Sequence, residues 1–171
     1  HVGRFVYQKN HDFLIEVFYE IKKRNPDAIL MLIGSGEQER GIKQKVKSLG
    51  LSDCVLFLGT RADVCDLMQA MDVFIFPSNY EGLGIAVIEA QAAGLKTFVS
   101  EAVPEEAKVT ELVEYCRLDQ PAEYWAKRVL SCFENSNYER SKTVDKLRRS
   151  GYDIKMAGEE LQKWYEKLSN I

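Results

Sequence analysis

Histidine is nearly missing from this chain: among 171 residues only His1 and His11 occur, and the four cysteines form no CxxC pair. A zinc centre therefore has too few clustered ligands. The cysteines, Cys54, Cys65, Cys116 and Cys132, are widely spaced, and two lie in apolar segments. Reduced, buried thiols in a reducing compartment fit that spacing better than a disulfide framework. No GxGxxG run and no GxxxxGK run is present, which counts against the dinucleotide fingerprint and the P-loop respectively. Every apolar run is of strand length and is broken by a charge or a glycine, so neither a signal peptide nor a membrane-spanning helix is expected, and the chain is expected to be soluble. Basic residues do not predominate: 23 Lys and Arg stand against 26 Asp and Glu, a formal charge of −3. Broad nucleic-acid binding is not expected from that balance, although a few cations suffice for a local phosphate site. There is no low-complexity tail.

What is present is alternation. At 46% hydrophobic content and 171 residues the chain can build one well-packed domain. An extended piece, Val2–Val6, precedes an amphipathic helix at Asp12–Arg24 with Lys22, Lys23 and Arg24 near its C-terminal end. Pro26-Asp27 separates it from the apolar run Ala28–Ile33, closed by Gly34-Ser35-Gly36. The pattern then repeats: helix Gln38–Leu49, strand Cys54–Leu58, helix Asp63–Ala70, strand Val73–Phe76, helix Ile85–Ala93, strand Thr97–Val99. Such alternation predicts right-handed crossovers and an α/β fold, a Rossmann-like open parallel sheet with helices on both faces. Leu112–Cys116 fits an edge strand or a short helix. Helical spacing returns at Ala122–Phe133, Tyr138–Ser150 and Ile154–Leu168, with Gly151 between the last two. These helices are expected to cover the sheet or to dock on a further domain, because the chain begins within or at the edge of a strand and reads as a domain fragment.

The segment of most chemical interest follows the buried strand ending at Pro77: Ser78-Asn79-Tyr80-Glu81-Gly82-Leu83-Gly84, then a helix carrying Glu89. Ligands of open α/β sheets sit beyond the carboxyl ends of the strands. Paired glycines allow close backbone approach there, and a helix start offers unpaired N–H groups to an anion. Carboxylates repel phosphate, so Glu81 and Glu89 are expected to accept hydrogen bonds from ligand hydroxyls or backbone donors. Glu81 also fits a simple helix-start charge. Spacing i, i+3, i+7 places Ile85, Ile88 and Ala92 on one apolar stripe with Glu89 beside it, so a partner is expected for that carboxylate. Arg4 and Lys9 follow the first strand and, with Gly3, occupy the same sheet edge as Gly34 and Gly36. They are candidates to converge on a diphosphate. The Gly34-Ser35-Gly36 turn fits a structural role equally well.

These residues carry a resemblance. Val2-Gly3-Arg4 with Lys9, Leu32-Ile33-Gly34-Ser35-Gly36, Val55–Gly59, Asp72–Ser78 and above all Glu81-Gly82-Leu83-Gly84-Ile85-Ala86-Val87-Ile88-Glu89-Ala90 resemble the C-terminal nucleotide-sugar-binding domain of the retaining GT-B glycosyltransferases of family 4, also called glycosyl transferases group 1. The resemblance covers essentially all 171 residues and includes bacterial members of capsular and exopolysaccharide biosynthesis. It implies a donor domain over residues 1–171, including C-terminal helices over 122–168, with the N-terminal acceptor domain absent from this chain. It also implies that Arg4 and Lys9 hold the diphosphate, Glu81 the donor sugar and Glu89 the nucleotide ribose. Gly3, Gly34, Gly36, Gly82, Leu83 and Gly84 are expected, on the same resemblance, to line the donor. The chain departs from the family at Leu83, where phenylalanine is more frequent, and at Ser100–Glu106, which replaces a glycine-rich turn. The late Gly151-Tyr152-Asp153-Ile154 resembles the segment that crosses back to the N-terminal domain.

The implied activity is transfer of a hexose or N-acetylhexosamine from a nucleotide-diphosphate sugar, expected to be UDP-linked, to a saccharide or lipid-linked saccharide acceptor. The resemblance also implies that anomeric configuration is retained and that no metal is essential, and the fragment alone is expected to have little or no activity. The expected catalytic set is Arg4, Lys9 and Glu81. The expected location is cytoplasmic, or peripheral at the inner face of the membrane for the full-length protein. A second reading, from another class, is a noncatalytic nucleotide- or phosphosugar-binding regulatory module.

Overall fold

The computed structural model describes residues 1–133 and 143–169. Two parallel ladders carry the fold. β1 (Leu30–Leu32) pairs with β2 (Val55–Phe57), Leu30 opposite Val55. β3 (Val73–Phe76), β4 (Lys96–Ser100) and β5 (Val113–Cys116) pair in that order, Phe74 opposite Thr97 and Val99 opposite Tyr115. The open choice at 112–116 is thus resolved as a strand, since its backbone completes the β4 ladder.

Segment 1–5 lies between the two ladders. Val2 bridges to Ile33 in parallel, the Gly3 N–H donates to the Ile33 carbonyl at 2.9 Å, and the Phe5 N–H donates to the Ser35 carbonyl at 3.0 Å. On its other side the His1 Nδ1 lies 2.8 Å from the Ile75 carbonyl oxygen. The order across the molecule is therefore β2, β1, segment 1–5, β3, β4, β5. With segment 1–5 counted as the first strand, this is the 3-2-1-4-5-6 order of a doubly wound sheet, whose direction of winding reverses between segment 1–5 and β3.

Side-chain alternation along the strands feeds two apolar clusters, one on each face. Leu30, Leu32, Ile75 and Phe98 join Leu14, Phe18, Ile42, Val46 and Trp125. Ile33, Phe74, Phe76 and Val99 join Met68, Val87, Leu95 and Val103. Strands buried on both sides read as continuous apolar runs, as these do. The first cluster is covered by α1 (His11–Arg24), α2 (Glu39–Ser48) and α5 (Ala122–Ser131); the second by α3 (Val64–Gln69) and α4 (Ile85–Ala92). Trp125, fully buried, donates its indole N–H to the Arg117 carbonyl at 3.0 Å and takes the edge of Phe13 at 5.6 Å.

Of the helix expected at 138–150, residues 138–142 lie outside the described residues. The rest is α6 (Thr143–Leu147) and a wide turn over Arg148–Tyr152, where Gly151 takes a left-handed φ of 86° before α7 (Ile154–Ser169). Cys54 and Cys116 are buried, Cys65 is exposed and Cys132 is half-buried; all four are unbridged. Burial pushes the Cys116 thiol up to about 12, which keeps it protonated. No helix among the described residues is long and apolar enough to cross a membrane.

A cavity of about 430 Å³ lies under the N-terminal ends of β1 and β3, lined by residues such as Met31, Val73, Ile75 and Val129. Its walls are mainly aliphatic, and it sits at the opposite end of the strands from the glycine-bearing turns. Its size does not make it the candidate site, because convergent polar groups are what such a site requires.

Candidate functional site

Where the winding reverses, two loops meet beyond the strand ends. The first is a single 3-10 turn, Tyr7–Lys9, closed by Asn10 in a left-handed conformation at φ 51°. The second follows β3 from Pro77 to Gly84. The Asn79 N–H donates to the Gln8 carbonyl at 2.8 Å, the Asn79 side-chain amide to the Tyr7 carbonyl at 2.7 Å, and the Gln8 side-chain amide to the Tyr80 carbonyl at 3.1 Å. Next in line, Lys9 Nζ donates to Glu81 Oε1 at 2.6 Å, with the ammonium 4.5 Å from the centre of the Phe76 ring. Both side chains are largely withdrawn from water, 15% exposed for Lys9 and 5% for Glu81. Glu81, expected to accept from ligand hydroxyls or backbone donors, thus accepts from the Lys9 ammonium instead.

Glycines make this approach possible. A Cβ on Gly3 would stand 2.8 Å from His1 Nε2 and 3.1 Å from Lys9 Cγ, so any side chain there would displace the lysine stem. A Cβ on Gly34 would fall 2.1 Å from the Gly3 carbonyl oxygen, and one on Gly36 would fall 2.5 Å from the Phe5 carbonyl oxygen. Gly34 and Gly36 thus have a packing reason of their own, which is to let the turn after β1 lie against segment 1–5. Gly82 has none, because a Cβ there meets nothing within 4 Å. Arg4 stands on the same edge and is exposed; its carbonyl accepts from the Val6 N–H at 2.8 Å, while its guanidinium has no hydrogen-bond or ion-pair partner among the described residues.

Gly84, at φ 79°, is the N-cap of α4, and no side chain caps that helix start. The Val87 N–H donates to the Gly84 carbonyl at 2.8 Å, which leaves the N–H groups of Ile85 and Ala86 at the helix start to face an anion. The face of α4 differs from the expected one. Val87, Ile88, Ala90 and Gln91 are buried, whereas Ile85 is 65% exposed and Glu89 shares its open side. Ile85 is therefore not part of a buried stripe with Ile88, and Glu89 faces outward with Ile85 rather than lying at the core edge. The helix itself forms as its spacing predicts, but Ala92, expected on the apolar stripe with Ile85 and Ile88, is exposed, and the neighbouring Gln91 is buried instead.

Gln91 can be buried because its hydrogen-bonding groups are satisfied. Its amide donates to the Val87 and Ala107 carbonyls at 3.0 and 2.7 Å, and its oxygen accepts from the Val109 and Thr110 N–H groups and the Thr110 hydroxyl. The result fixes α4, and with it Glu89, against segment 107–110. Although Glu89 is exposed, surrounding protein atoms desolvate its carboxyl and push it above the usual carboxylate range. Both statements hold for a group recessed on an open face, and neither makes it a buried charge.

Lys9, Glu81 and Gly3 are thus brought into contact, and Arg4, Gly34, Gly36, Gly82, Leu83, Gly84 and Glu89 are placed at the same end of the sheet. Sequence reasoning missed Gln8 and Asn79, which tie the loops. Their one available signal was position, with Asn79 in a Pro-Ser-Asn turn two residues before Glu81. His11, at the entrance of α1, is fully buried and packed on Phe5 at 4.1 Å between ring centres. No group of three His, Cys, Asp or Glu side chains suited to a metal ion occurs among the described residues.

Comparison with known proteins gives this geometry a lineage. EpsF of Bacillus subtilis is 34% identical over 154 residues, which are 90% of this chain and 40% of EpsF. UDP-Gal:alpha-D-GlcNAc-diphosphoundecaprenol alpha-1,3-galactosyltransferase of Escherichia coli is 36% identical over 102 residues, 58% of this chain and 26% of that enzyme. The crystal structure of Anabaena Alr3699/HepE in complex with UDP superposes with a TM-score of 0.79 at 21% identity, covering all of this chain and 48% of that one. The last likeness concerns the fold, that of the C-terminal Rossmann-like half of a GT-B glycosyltransferase. The chain spans less than half the length of each of these proteins. Residues 1–153 match the family described as glycosyl transferases group 1, and the chain belongs to that family.

Proposed function

We propose that this chain is the donor-binding domain of a retaining glycosyltransferase that moves a sugar from a nucleotide-diphosphate sugar to a saccharide or lipid-linked saccharide in polysaccharide biosynthesis. The observation that carries the reading is the Lys9 and Glu81 pair at the winding reversal, beside the uncapped start of α4. A nucleotide-sugar needs positive charge for its diphosphate and hydroxyl acceptors for its sugar within a few ångströms of each other, and this pair supplies one of each. As the bond from the anomeric carbon to the phosphate oxygen breaks, negative charge grows on the leaving diphosphate. Lys9, Arg4 and the α4 N–H groups stabilise that charge more in the transition state than in the ground state. Glu81 orients sugar hydroxyls and is not a covalent nucleophile; Glu89 holds the ribose beside Ile85. The acceptor attacks from the leaving-group side, which retains the configuration.

UDP is the proposed carrier nucleotide, in keeping with the UDP named for HepE and the UDP-Gal named for the Escherichia coli enzyme. Charge stabilisation rests on side chains and amides, so no divalent metal is required. The remaining parts of the longer protein supply acceptor recognition and exclude water. That protein works in the cytoplasm or at the inner face of the membrane.

Calorimetry on the full-length protein with UDP, GDP, ADP, dTDP and the matching nucleosides tests the reading, followed by transfer assays with and without a chelator. Tighter binding of one diphosphate than of its nucleoside, and transfer that survives chelation with an unchanged anomer, are expected. Absence of any nucleoside diphosphate binding overturns the proposal.

A further inference from the structure

We infer that Asn79 is a positioning residue that holds Lys9 and Glu81 in register once a donor has separated them, an inference that rests on the proposed function. The ion pair itself links the two loops. A bound diphosphate draws Lys9 toward phosphate, and sugar hydroxyls take up the acceptor capacity of Glu81. The tie between the loops then loosens when catalysis most needs their spacing fixed. A misplacement of about 1 Å costs on the order of 100-fold in rate.

The neutral bonds are not consumed by the ligand. Asn79 contributes two of them from one residue, its N–H to the Gln8 carbonyl at 2.8 Å and its side-chain amide to the Tyr7 carbonyl at 2.7 Å. The Tyr7 carbonyl also accepts from the Asn10 N–H at 3.2 Å, so Asn79 grips the same 3-10 turn that carries Lys9. Gln8 returns the tie to the Tyr80 carbonyl at 3.1 Å. Residues 7, 8 and 9 thus face 79, 80 and 81 in order, and only the last pair is charged. A carboxylate at position 79 could not donate to Tyr7 and would compete with Glu81 for Lys9, so the position needs an amide rather than any short polar residue.

The test is a double-mutant cycle in the full-length protein: wild type, Asn79→Ala, Lys9→Met and the double variant, titrated with whichever of UDP, GDP, ADP or dTDP wild type binds best and with its nucleoside. Asn79→Ala is expected to weaken the diphosphate about tenfold, to leave the nucleoside within twofold, and to lower kcat/KM by about the same factor or more. In the Lys9→Met background its effect on the diphosphate is expected to shrink below twofold. Equal losses in both backgrounds, equal losses for diphosphate and nucleoside, or no loss at all would show that Asn79 does not act through Lys9 and would overturn the inference. Should Asn79→Ala fail to fold, Gln8→Ala takes its place with the same expected pattern. If wild type binds no diphosphate, the proposed function falls and this inference falls with it. If wild type binds and the cycle is additive, only the inference falls.

Discussion

Lys9 Nζ and Glu81 Oε1, 72 residues apart in the chain, stand 2.6 Å from each other at the point where the sheet reverses its winding. Each is the main neutralising partner of the other in a place largely closed to water, so the two cannot be altered with equal effect. Lys9→Met leaves a buried carboxylate without its cation; breaking such pairs costs about 3 to 5 kcal/mol, and the partial exposure of Lys9 places the loss toward the lower end. Glu81→Gln keeps an oxygen that can accept from Lys9, and its melting temperature should fall less. Ligand binding separates them further. Lys9→Met should weaken the nucleoside diphosphate more than the nucleoside, whereas Glu81→Gln releases Lys9 toward phosphate and should leave the sugar-free diphosphate bound equally or more tightly. The same Glu81→Gln variant should lose discrimination among nucleotide-sugars and lose transfer in the full-length protein. Calorimetry with diphosphate and matched sugar donors checks each arm. A Glu81→Gln variant that loses the sugar-free diphosphate as severely as Lys9→Met does would remove the division of roles.

Glu89 should behave differently because its proposed contact is common to all nucleotides. Glu89→Gln is expected to weaken nucleoside, diphosphate and nucleotide-sugar together, by a few-fold to about tenfold, the range of one charge-assisted hydrogen bond lost to a neutral one. Desolvation raises its pKa, so its carboxylate is lost on acidification at a higher pH than an ordinary glutamate's. Protonation removes hydroxyl-accepting capacity, and nucleoside affinity should therefore fall as pH falls through that raised value. Titrations of nucleoside across pH 4 to 7 should show the decline in wild type and a flatter profile in Glu89→Gln; parallel profiles would take Glu89 out of the ribose contact.

The alternation of elements was legible because strands buried on both faces leave uninterrupted apolar runs, and Val73–Phe76 was read at its observed bounds. The glycine turns were legible by position, and the structure adds their steric cause at Gly34 and Gly36. What spacing could not give was the face of α4. A residue's side of a helix follows from what packs on it, and Gln91 is buried because segment 107–110, distant in sequence, satisfies its amide. Nor could it give the Lys9 and Glu81 contact, which depends on two loops joined by Asn79 and Gln8 across 72 residues of chain. The break between α6 and α7 was marked by Gly151, since a left-handed φ there is a local property of glycine.

The apolar side of α7 bears on the longer protein. Ile154, Leu161, Trp164 and Leu168 recur at helical spacing and are all exposed. If the remainder of the full-length protein covers this side, Trp164→Lys should lower the full-length melting temperature by the equivalent of about 1.5 to 3 kcal/mol, the worth of burying one large apolar side chain. In the 171-residue chain the same change should be close to neutral. Thermal denaturation of both lengths, wild type and variant, makes the comparison. A neutral result in the full-length protein would mean that α7 keeps its apolar side in water there too.

His11 offers a pH dependence whose sign follows from its burial. The ring is inaccessible to solvent, stacked on Phe5 at 4.1 Å and edge-on to His1 at 4.8 Å, and neither ring nitrogen has a hydrogen-bond partner among the described residues. Burial above all, then the positive charges of the His1 amino group and Lys9, lowers its pKa from 6.5 to about 4. The unfolded chain thus binds a proton between these values that the folded chain refuses. Stability contributed by the neutral ring is full above pH 6.5 and is lost as pH falls toward 4, by an amount on the order of 3 kcal/mol. In a chain that continues upstream of His1 the amino-group share disappears while the burial share stays, so the window narrows without changing sign. His11→Phe keeps the stacking on Phe5, removes two buried nitrogens that lack partners, and should be neutral or mildly stabilising at pH 7. Denaturant melts at pH 7, 6, 5 and 4.5 should show wild type losing stability faster than His11→Phe below pH 6.5. Equal slopes for the two proteins would mean that His11 accepts its proton in the folded state as readily as in the unfolded one.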